Sequence, residues 1–297
     1  MPKKIKNKQG RSKTKDSMQQ ALVCNTFRKE LDLAGQYLKS NRHNQAASIY
    51  QRILSQDPKH LCANYFMGVL LHTASQSYAG IPYLKKVIGL QPGHIGAQLV
   101  LIDMYLNTDI LEEAELLLRK LLEGKPRNAE ALFRLGKLNQ QRGHYKEAED
   151  NFQKAFKYDR SMLMALIQHA KVCAALGDSE KALNLYRRVR EIKPTYGEAH
   201  YGLALLNKKA INADDISRME KACQVKVLGD SDKAYLAYGL GKVYDDLNEY
   251  EKAFHYFAEG NRFKRRSFPF KYDIEQDEKY FQKIKDVFNE DFILSMN

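Results

Sequence analysis

Pro58, Pro92, Pro126 and Pro194 fall on a single 34-residue grid, and Arg160 occupies its one proline-free place. Twelve residues before each of these five positions stands a small residue: Ala46, Gly80, Ala114, Ala148 and Ala182. Four residues after each small one comes a large one, Tyr50, Leu84, Leu118, Phe152 or Tyr186. Such a repeat constrains the fold more than any local propensity, because one supersecondary unit must satisfy it five times over. A second series, Ala34, Gly68, Gly136 and Ala170, precedes the first. Two helices whose backbones approach closely need a small side chain on each, with larger neighbours filling the space around the contact. Each unit therefore reads as a helical hairpin, closed by a turn in which proline's missing N–H and fixed φ do least harm.

With small residues at the eighth and twentieth places, a bulky one at the twenty-fourth and proline at the thirty-second, the pattern resembles the tetratricopeptide repeat. The resemblance implies an all-α fold, an α-α superhelix in which helical hairpins stack as a right-handed solenoid with a concave and a convex face. Residues 1–18 read as a basic disordered tail and residues 19–196 as units one to five. Residues 197–233 read as a degenerate sixth unit, which starts well with Leu203 and Ala204 but loses its pattern in KKAINADDISRMEKACQVKVLGD. Residues 234–266 form a seventh unit carrying Leu240, Gly241, Tyr244, Ala253 and Phe257, and residues 267–297 a C-terminal capping or linker helix. Pro82, two residues after Gly80, is expected to bend or delay its helix.

Composition agrees with helices. Seven prolines, 17 glycines and no tryptophan suit a helical protein better than a sandwich or barrel, and 44% hydrophobic residues suffice for a sizeable core. The four cysteines, Cys24, Cys62, Cys173 and Cys223, are too far apart for a CxxC pair and read as small buried hydrophobes in a reducing compartment. No apolar run reaches a membrane span and no secretory signal opens the chain, so a cytoplasmic protein is expected. The net charge of +12 is concentrated at two places. Residues 1–15 hold seven basic side chains and no acid, and the segment from Arg262 to Lys271 holds five and no acid. The remainder is balanced, which argues against a surface built to coat nucleic acid and leaves the basic tail as the segment able to touch one.

Position five of each first helix is apolar or aromatic throughout: Leu31, Tyr65, Leu99, Phe133, Ile167, Tyr201 and Tyr238. In tetratricopeptide repeats this stripe lines the concave groove, so the ladder is a candidate bed for a protein or peptide partner. The alternative is that these residues seal neighbouring repeats together. Lys137 and Lys171, at position nine of units four and five, would favour an acidic ligand, or are simply solvated. The Lys and Asn clamp by which some repeats of this type hold chaperone C-termini is missing. Leu31 and Gly35, Tyr65 and Val69, and Leu99 and Asp103 stand in its place.

No catalytic residue and no metal set is read from the sequence. Gly136-Lys137 and Gly241-Lys242 lack the upstream glycine and following Ser or Thr of a phosphate loop, and the eight histidines show no pair at ligand spacing. The last part of the chain, from about residue 234 to 293, resembles the corresponding part of bacterial tetratricopeptide-repeat sulfotransferases. Gly241, Lys242, Tyr244, Asp245, Asp246 and Leu247 carry the likeness, followed by Ala253, Phe254, Asn261, Lys264, Tyr272, Asp273, Ile284 and Phe288. In that family a strand and a glycine- and serine/threonine-rich loop come next and cradle 3'-phosphoadenosine 5'-phosphosulfate (PAPS). The resemblance thus implies a non-catalytic arm whose cofactor, PAPS, belongs to a catalytic sulfotransferase domain outside this sequence. The cluster Arg262, Lys264, Arg265 and Arg266 is expected to cap the last long helix, or to hold an acidic surface or anionic ligand of such a domain.

Overall fold

A computed structural model describes residues 27–206, 211–225 and 227–267, together with positions 278, 279, 282, 283 and 285. The basic tail 1–18 and, apart from residue 267 and those five positions, the segment 267–297 with Tyr272, Asp273, Ile284 and Phe288 lie outside the described residues. Among the described residues every regular element is a helix. The chain divides after Gly177 into two compact units. The first contains α1 (Arg28–Lys39), α2 (His43–Gln56), α3 (Leu61–Thr73), α4 (Ser77–Leu90), α5 (Ile95–Asn107), α6 (Leu111–Gly124), α7 (Ala129–Gln141), α8 (Tyr145–Tyr158) and α9 (Leu163–Ala175). The second contains α10 (Ser179–Ile192), α11 (Gly197–Leu206), α12 (Ala213–Cys223), α13 (Asp230–Asp246) and α14 (Tyr250–Ser267).

The 34-residue grid governs where helices begin. Starts recur at Leu61, Ile95, Ala129, Leu163 and Gly197 for one series, and at His43, Ser77, Leu111, Tyr145, Ser179 and Ala213 for the other. The sixth pair keeps this spacing although its sequence pattern fades, because Asn212 and Asp215 form a reciprocal capping box that fixes the start of α12. Its helices are short, 10 and 11 residues against 13 and 14 in the second to fifth repeats. The grid shifts afterwards, where α13 runs for 17 residues and α14 for 18.

Two kinds of turn set this spacing. Within a hairpin the first helix ends on a left-handed residue: Asn41, Ser75, Asp109 and Gly143 in the first unit, and Asn248 in the second, have φ between +56° and +76°. The next N–H then reaches back to a carbonyl five residues earlier, as in Arg42 to Tyr37 at 2.8 Å, Gln76 to Leu71 at 2.8 Å and His144 to Asn139 at 2.8 Å. Asn, Asp and Gly tolerate this backbone better than other residues, and the double bonding satisfies carbonyls that the helix end leaves bare. Between hairpins the chain makes a β-turn, with His60 N–H donating to the Asp57 carbonyl at 3.0 Å and Asn128 N–H to that of Lys125 at 3.1 Å. Pro58 and Pro126 sit second in these turns, the place where a fixed φ near −65° is already correct.

Pro82 does not interrupt its helix. α4 begins at Ser77, on the grid, and runs unbroken to Leu90. The proline lies early in the helix, so the one carbonyl deprived of a partner is that of the exposed Tyr78, where water can serve it.

Small-on-large contacts hold the hairpins closed. A β-carbon at Gly136 would sit 2.6 Å from the fully buried ring of Phe152, and one at Gly68 2.8 Å from the buried Leu84 side chain. The first unit's interior continues from Tyr50 and Ile53 through Leu84, Ile102, Met104 and Leu118 to Leu138 and Phe152. First helices also meet one another, α3 with α5 and α5 with α7. In the second unit Leu203, Met219, Leu236 and Leu240 fill the interior, and α11 packs so closely on α13 that Gly197 faces the Asp232 backbone. Gly136→Ala and Gly197→Ala should therefore each cost about 2 kcal/mol, whereas Gly89→Ala, with open space around it in α4, should gain roughly 0.5–1 kcal/mol. Urea midpoints of the three variants check this.

Candidate functional site

Each hairpin presents the same register position from its first helix, so the stripe can be followed residue by residue. In the first unit, Leu31, Tyr65 and Phe133 are half-buried, Leu99 is buried and Ile167 has no exposed surface. Tyr65 lies 4.9 Å from the His94 ring, at the start of the next repeat, and 5.2 Å from Phe66. Phe66 in turn stacks on Tyr50 at 5.9 Å. Phe133 packs 5.5 Å from Phe152. In the second unit Tyr201 lies 6.3 Å from Tyr238, whose hydroxyl donates to Asn261 Oδ1 at 2.9 Å while its ring covers Gly260. Tyr65, Leu99 and Tyr201 thus touch or face neighbouring repeats, and Ile167 offers nothing to a ligand. Of the stripe in the first unit, Leu31, Tyr65 and Phe133 keep partly exposed edges, and Phe66 beside Tyr65 is exposed.

Beside the aromatic edge runs a charged one that sequence reading saw only in part. Arg134 donates to Asp103 Oδ2 at 2.6 Å, from α7 to α5, and to its own helix's Glu130 at 2.9 Å. Its side chain is 15% exposed, so this pair is shielded from solvent more than an ordinary surface bridge. Lys137, one turn along, is half-buried. His72 on α3 completes the group, its Nδ1 3.0 Å from Ser77 Oγ. Burial depresses the His72 pKa, Asp103 works against that, and Lys137 and Arg134 add to it. Asp103 and Arg134 are 31 residues apart, position nine of one repeat and position six of the next. That diagonal spacing was the available signal, and a search confined to positions five and nine passes over it. Lys171 lies exposed on α9.

Buried polar residues serve the turns. Asn64, Gln98 and His200 hold one register position, and each donates to the carbonyl of the proline six residues earlier: Pro58 at 3.1 Å, Pro92 at 2.7 Å and Pro194 at 2.7 Å. At the same place in the two proline-126 and arginine-160 repeats stand Leu132 and Leu166. His60 and His94 accept from the N–H groups of Ala63 and Ala97 at 3.2 and 3.0 Å, capping α3 and α5 as Asn128 caps α7. In the second unit Asp215 is buried between Arg190 at 2.5 Å and Arg187 at 3.1 Å. Burial alone would raise its carboxyl, but Arg190, the Asn212 N–H and Arg187 hold it below the ordinary range.

At the end of α14, Arg262 pairs with Glu259 at 2.7 Å and lies 5.2 Å over the Phe263 ring, while Lys264, Arg265 and Arg266 occupy the last turn, where the helix dipole favours cations. The shallow surface depressions at Lys125–Asn128 and over α10 gather no nucleophile beside a base.

Residues 107–189 match the family model described as anaphase-promoting complex, cyclosome, subunit 3. Anaphase-promoting complex subunit 3 of Schizosaccharomyces pombe is 26% identical over 178 residues, 60% of this chain and 27% of that protein. BBSome complex member BBS4 of Bos taurus is 26% identical over 229 residues, 75% of this chain and 42% of that protein. The chain therefore spans less than half the length of these curated relatives. A tetratricopeptide repeat protein from Parabacteroides merdae superposes with a TM-score of 0.61 at 16% identity, covering 92% of this chain and all of that one. MamA from Desulfovibrio magneticus RS-1 gives 0.50 at 17% identity over 56% of this chain and 94% of its own. These structures share the fold.

The buried histidines generate a pH dependence. Burial lowers the His60 and His200 pKa values from the ordinary 6.5, Asp57 opposing this at the first and the Pro194 carbonyl at the second. A histidine depressed in the folded state binds its proton more readily when unfolded, so its stabilising effect is complete above about pH 6.5 and is lost as pH falls toward the folded value. The thermal midpoint should drop between about pH 7.5 and about pH 5.5. His200→Gln supplies the donor that Gln98 supplies naturally, and should keep the neutral-pH midpoint while flattening part of that drop.

Proposed function

We propose that this tetratricopeptide-repeat chain is a binding scaffold that holds a segment of a partner protein along the first-helix faces of its first unit. One observation carries the reading. The aromatic edge of half-buried Tyr65 and Phe133 with exposed Phe66 runs beside the fixed charges of Asp103, Arg134 and Lys137, on helices that repeat every 34 residues. Half-buried rings add contact area at little entropic cost, and shielded charges supply register. The printed names of the two curated relatives describe members of multiprotein complexes, which supports the same class of work. No helix among the described residues is long and apolar enough to cross a membrane.

The partner is a free protein in the first reading, which makes the chain an adaptor. A second reading makes it the arm of a PAPS-dependent sulfotransferase, and rests on the resemblance across residues 234–293. Within the described part of that segment, Gly241 admits the Phe257 ring, Lys242 pairs with Asp246, and Asn261 accepts from Tyr238, so hairpin packing already accounts for these residues. We therefore favour the adaptor. Genomic sequence beyond codon 297 separates the two: an in-frame strand, phosphate-binding turn and helix would establish the arm, and their absence would remove it.

Charge reversal and ring removal on the stripe test the adaptor. Lys137→Glu combined with Tyr65→Ser should lower capture of the partner at least about tenfold, a loss near 1.4 kcal/mol, with helicity unchanged by circular dichroism. Quantitative affinity purification, comparing the same recovered protein in both samples, provides the measurement. Equal recovery would refute the stripe as the binding face.

A further inference from the structure

We infer that the first unit carries a zinc site formed by Glu149 of α8 with His169 and Cys173 of α9, remote in sequence from the charged stripe. His169 and Cys173 are four residues apart on one helix, so both side chains leave the same face one turn from each other. Glu149 faces them from the neighbouring helix. One ligand atom from each residue lies within 4.8 Å of the other two. His169 Nε2 is 3.3 Å from Glu149 Oε1, and Cys173 Sγ is 3.8 Å from the same oxygen.

These separations are close to what a metal requires. With Zn–N and Zn–O near 2.0 Å and Zn–S near 2.3 Å, tetrahedral geometry places N and O about 3.3 Å apart and S and O about 3.5 Å apart. The Cys173 contact needs to close by a few tenths of an ångström, and the His169 and Cys173 donors, within 4.8 Å of each other, need to come to about 3.5 Å by side-chain rotation. The donor chemistry selects the ion. A thiolate beside an imidazole and a single carboxylate favours zinc over calcium or magnesium, which require mostly oxygen.

Burial divides the trio usefully. His169 is 3% exposed and Cys173 1%, whereas the Glu149 side chain is 21% exposed. The two helix-borne donors are therefore fixed in dry surroundings, and the ion enters from the Glu149 side, where water takes the fourth position. Binding releases the Cys173 thiol proton, leaves the His169 ring proton on Nδ1, and uses a carboxylate that is already charged. The ion cross-links α8 to α9 and so stabilises the first unit by linkage to its folded state. A search for paired histidines or CxxC spacing passes over this set, because its third donor is 20 residues away on another helix.

Cobalt serves as the spectroscopic probe for the full chain after chelator treatment. Titration with Co²⁺ should give a thiolate-to-cobalt charge-transfer band and the visible bands of a tetrahedral ion, saturating at one equivalent, and Zn²⁺ should abolish both and raise the thermal midpoint. The combined variant Cys24→Ser, Cys62→Ser and Cys223→Ser should keep the band, and adding Cys173→Ser should remove it. Glu149→Gln should weaken binding at least about tenfold while leaving the thiolate signal at saturation. Absence of the band in the chelator-treated wild type, or its persistence without Cys173, overturns the site. If the Cys173→Ser chain fails to fold, the three-cysteine variant and Glu149→Gln decide instead: no band in the former, or unchanged affinity in the latter, overturns it equally.

Discussion

One 34-residue hairpin of this chain cannot bury its own apolar face, and the whole structure depends on how two helices come close enough to share theirs. The device is a large side chain seated over a small one. Phe152 lies over Gly136, Leu84 over Gly68, and Phe257 over Gly241, each where a β-carbon would collide. Dispersion contacts of this closeness are individually small and collectively large, and they vanish if the backbones move apart. Closing the hairpin in this way leaves the flank of each first helix facing outward at a fixed place. The same contact that supplies cohesion therefore positions the stripe.

Turn chemistry converts that contact into a periodic structure. A left-handed residue follows the first helix of six hairpins, at Asn41, Ser75, Asp109, Gly143, Gly177 and Asn248, and a β-turn, with proline second at Pro58 and Pro126, starts the next repeat. Polar side chains buried beneath the turns protect their carbonyls, and they do so interchangeably: Asn64, Gln98 and His200 make one bond with three chemistries. Choosing histidine has a side effect, since burial disfavours its charged form even though the bond to the Pro194 carbonyl opposes this. Acid sensitivity thus enters the fold through the burial of a structural side chain and not through any reacting group.

The electrostatics separate into holding and displaying. Asp215 and Arg190 are buried inside the second unit, and with the partly exposed Arg187 they tie α10 to α12. Such a pair adds little stability over an apolar core, but removing one member would strand a buried charge. Asp103 and Arg134 are partly shielded yet reach the surface, and there they set fixed charges beside the aromatic edge that we propose as the binding face. Glu149, His169 and Cys173 show a third arrangement, in which donors of different softness converge between two helices.

Periodicity in the sequence determined the helix class, the hairpin unit, the helix starts of the first six repeats and the residues that pack within each hairpin, because small-on-large spacing is a local property repeated at fixed distance. It also identified the stripe as a series. What the sequence left open was the fate of each member: Leu99 and Ile167 are buried, Tyr65 leans on the next repeat, and Tyr238 is held by Asn261, outcomes that depend on neighbours far along the chain. Pro82 does not delay the start of its helix, since the cost of a missing hydrogen bond depends on whether water can reach the orphaned carbonyl. The diagonal Asp103–Arg134 pair and the Glu149, His169 and Cys173 group came from tertiary structure alone. The partners on different helices lie 20 to 31 residues apart, and only the packing of one helix on another decides which side chains meet.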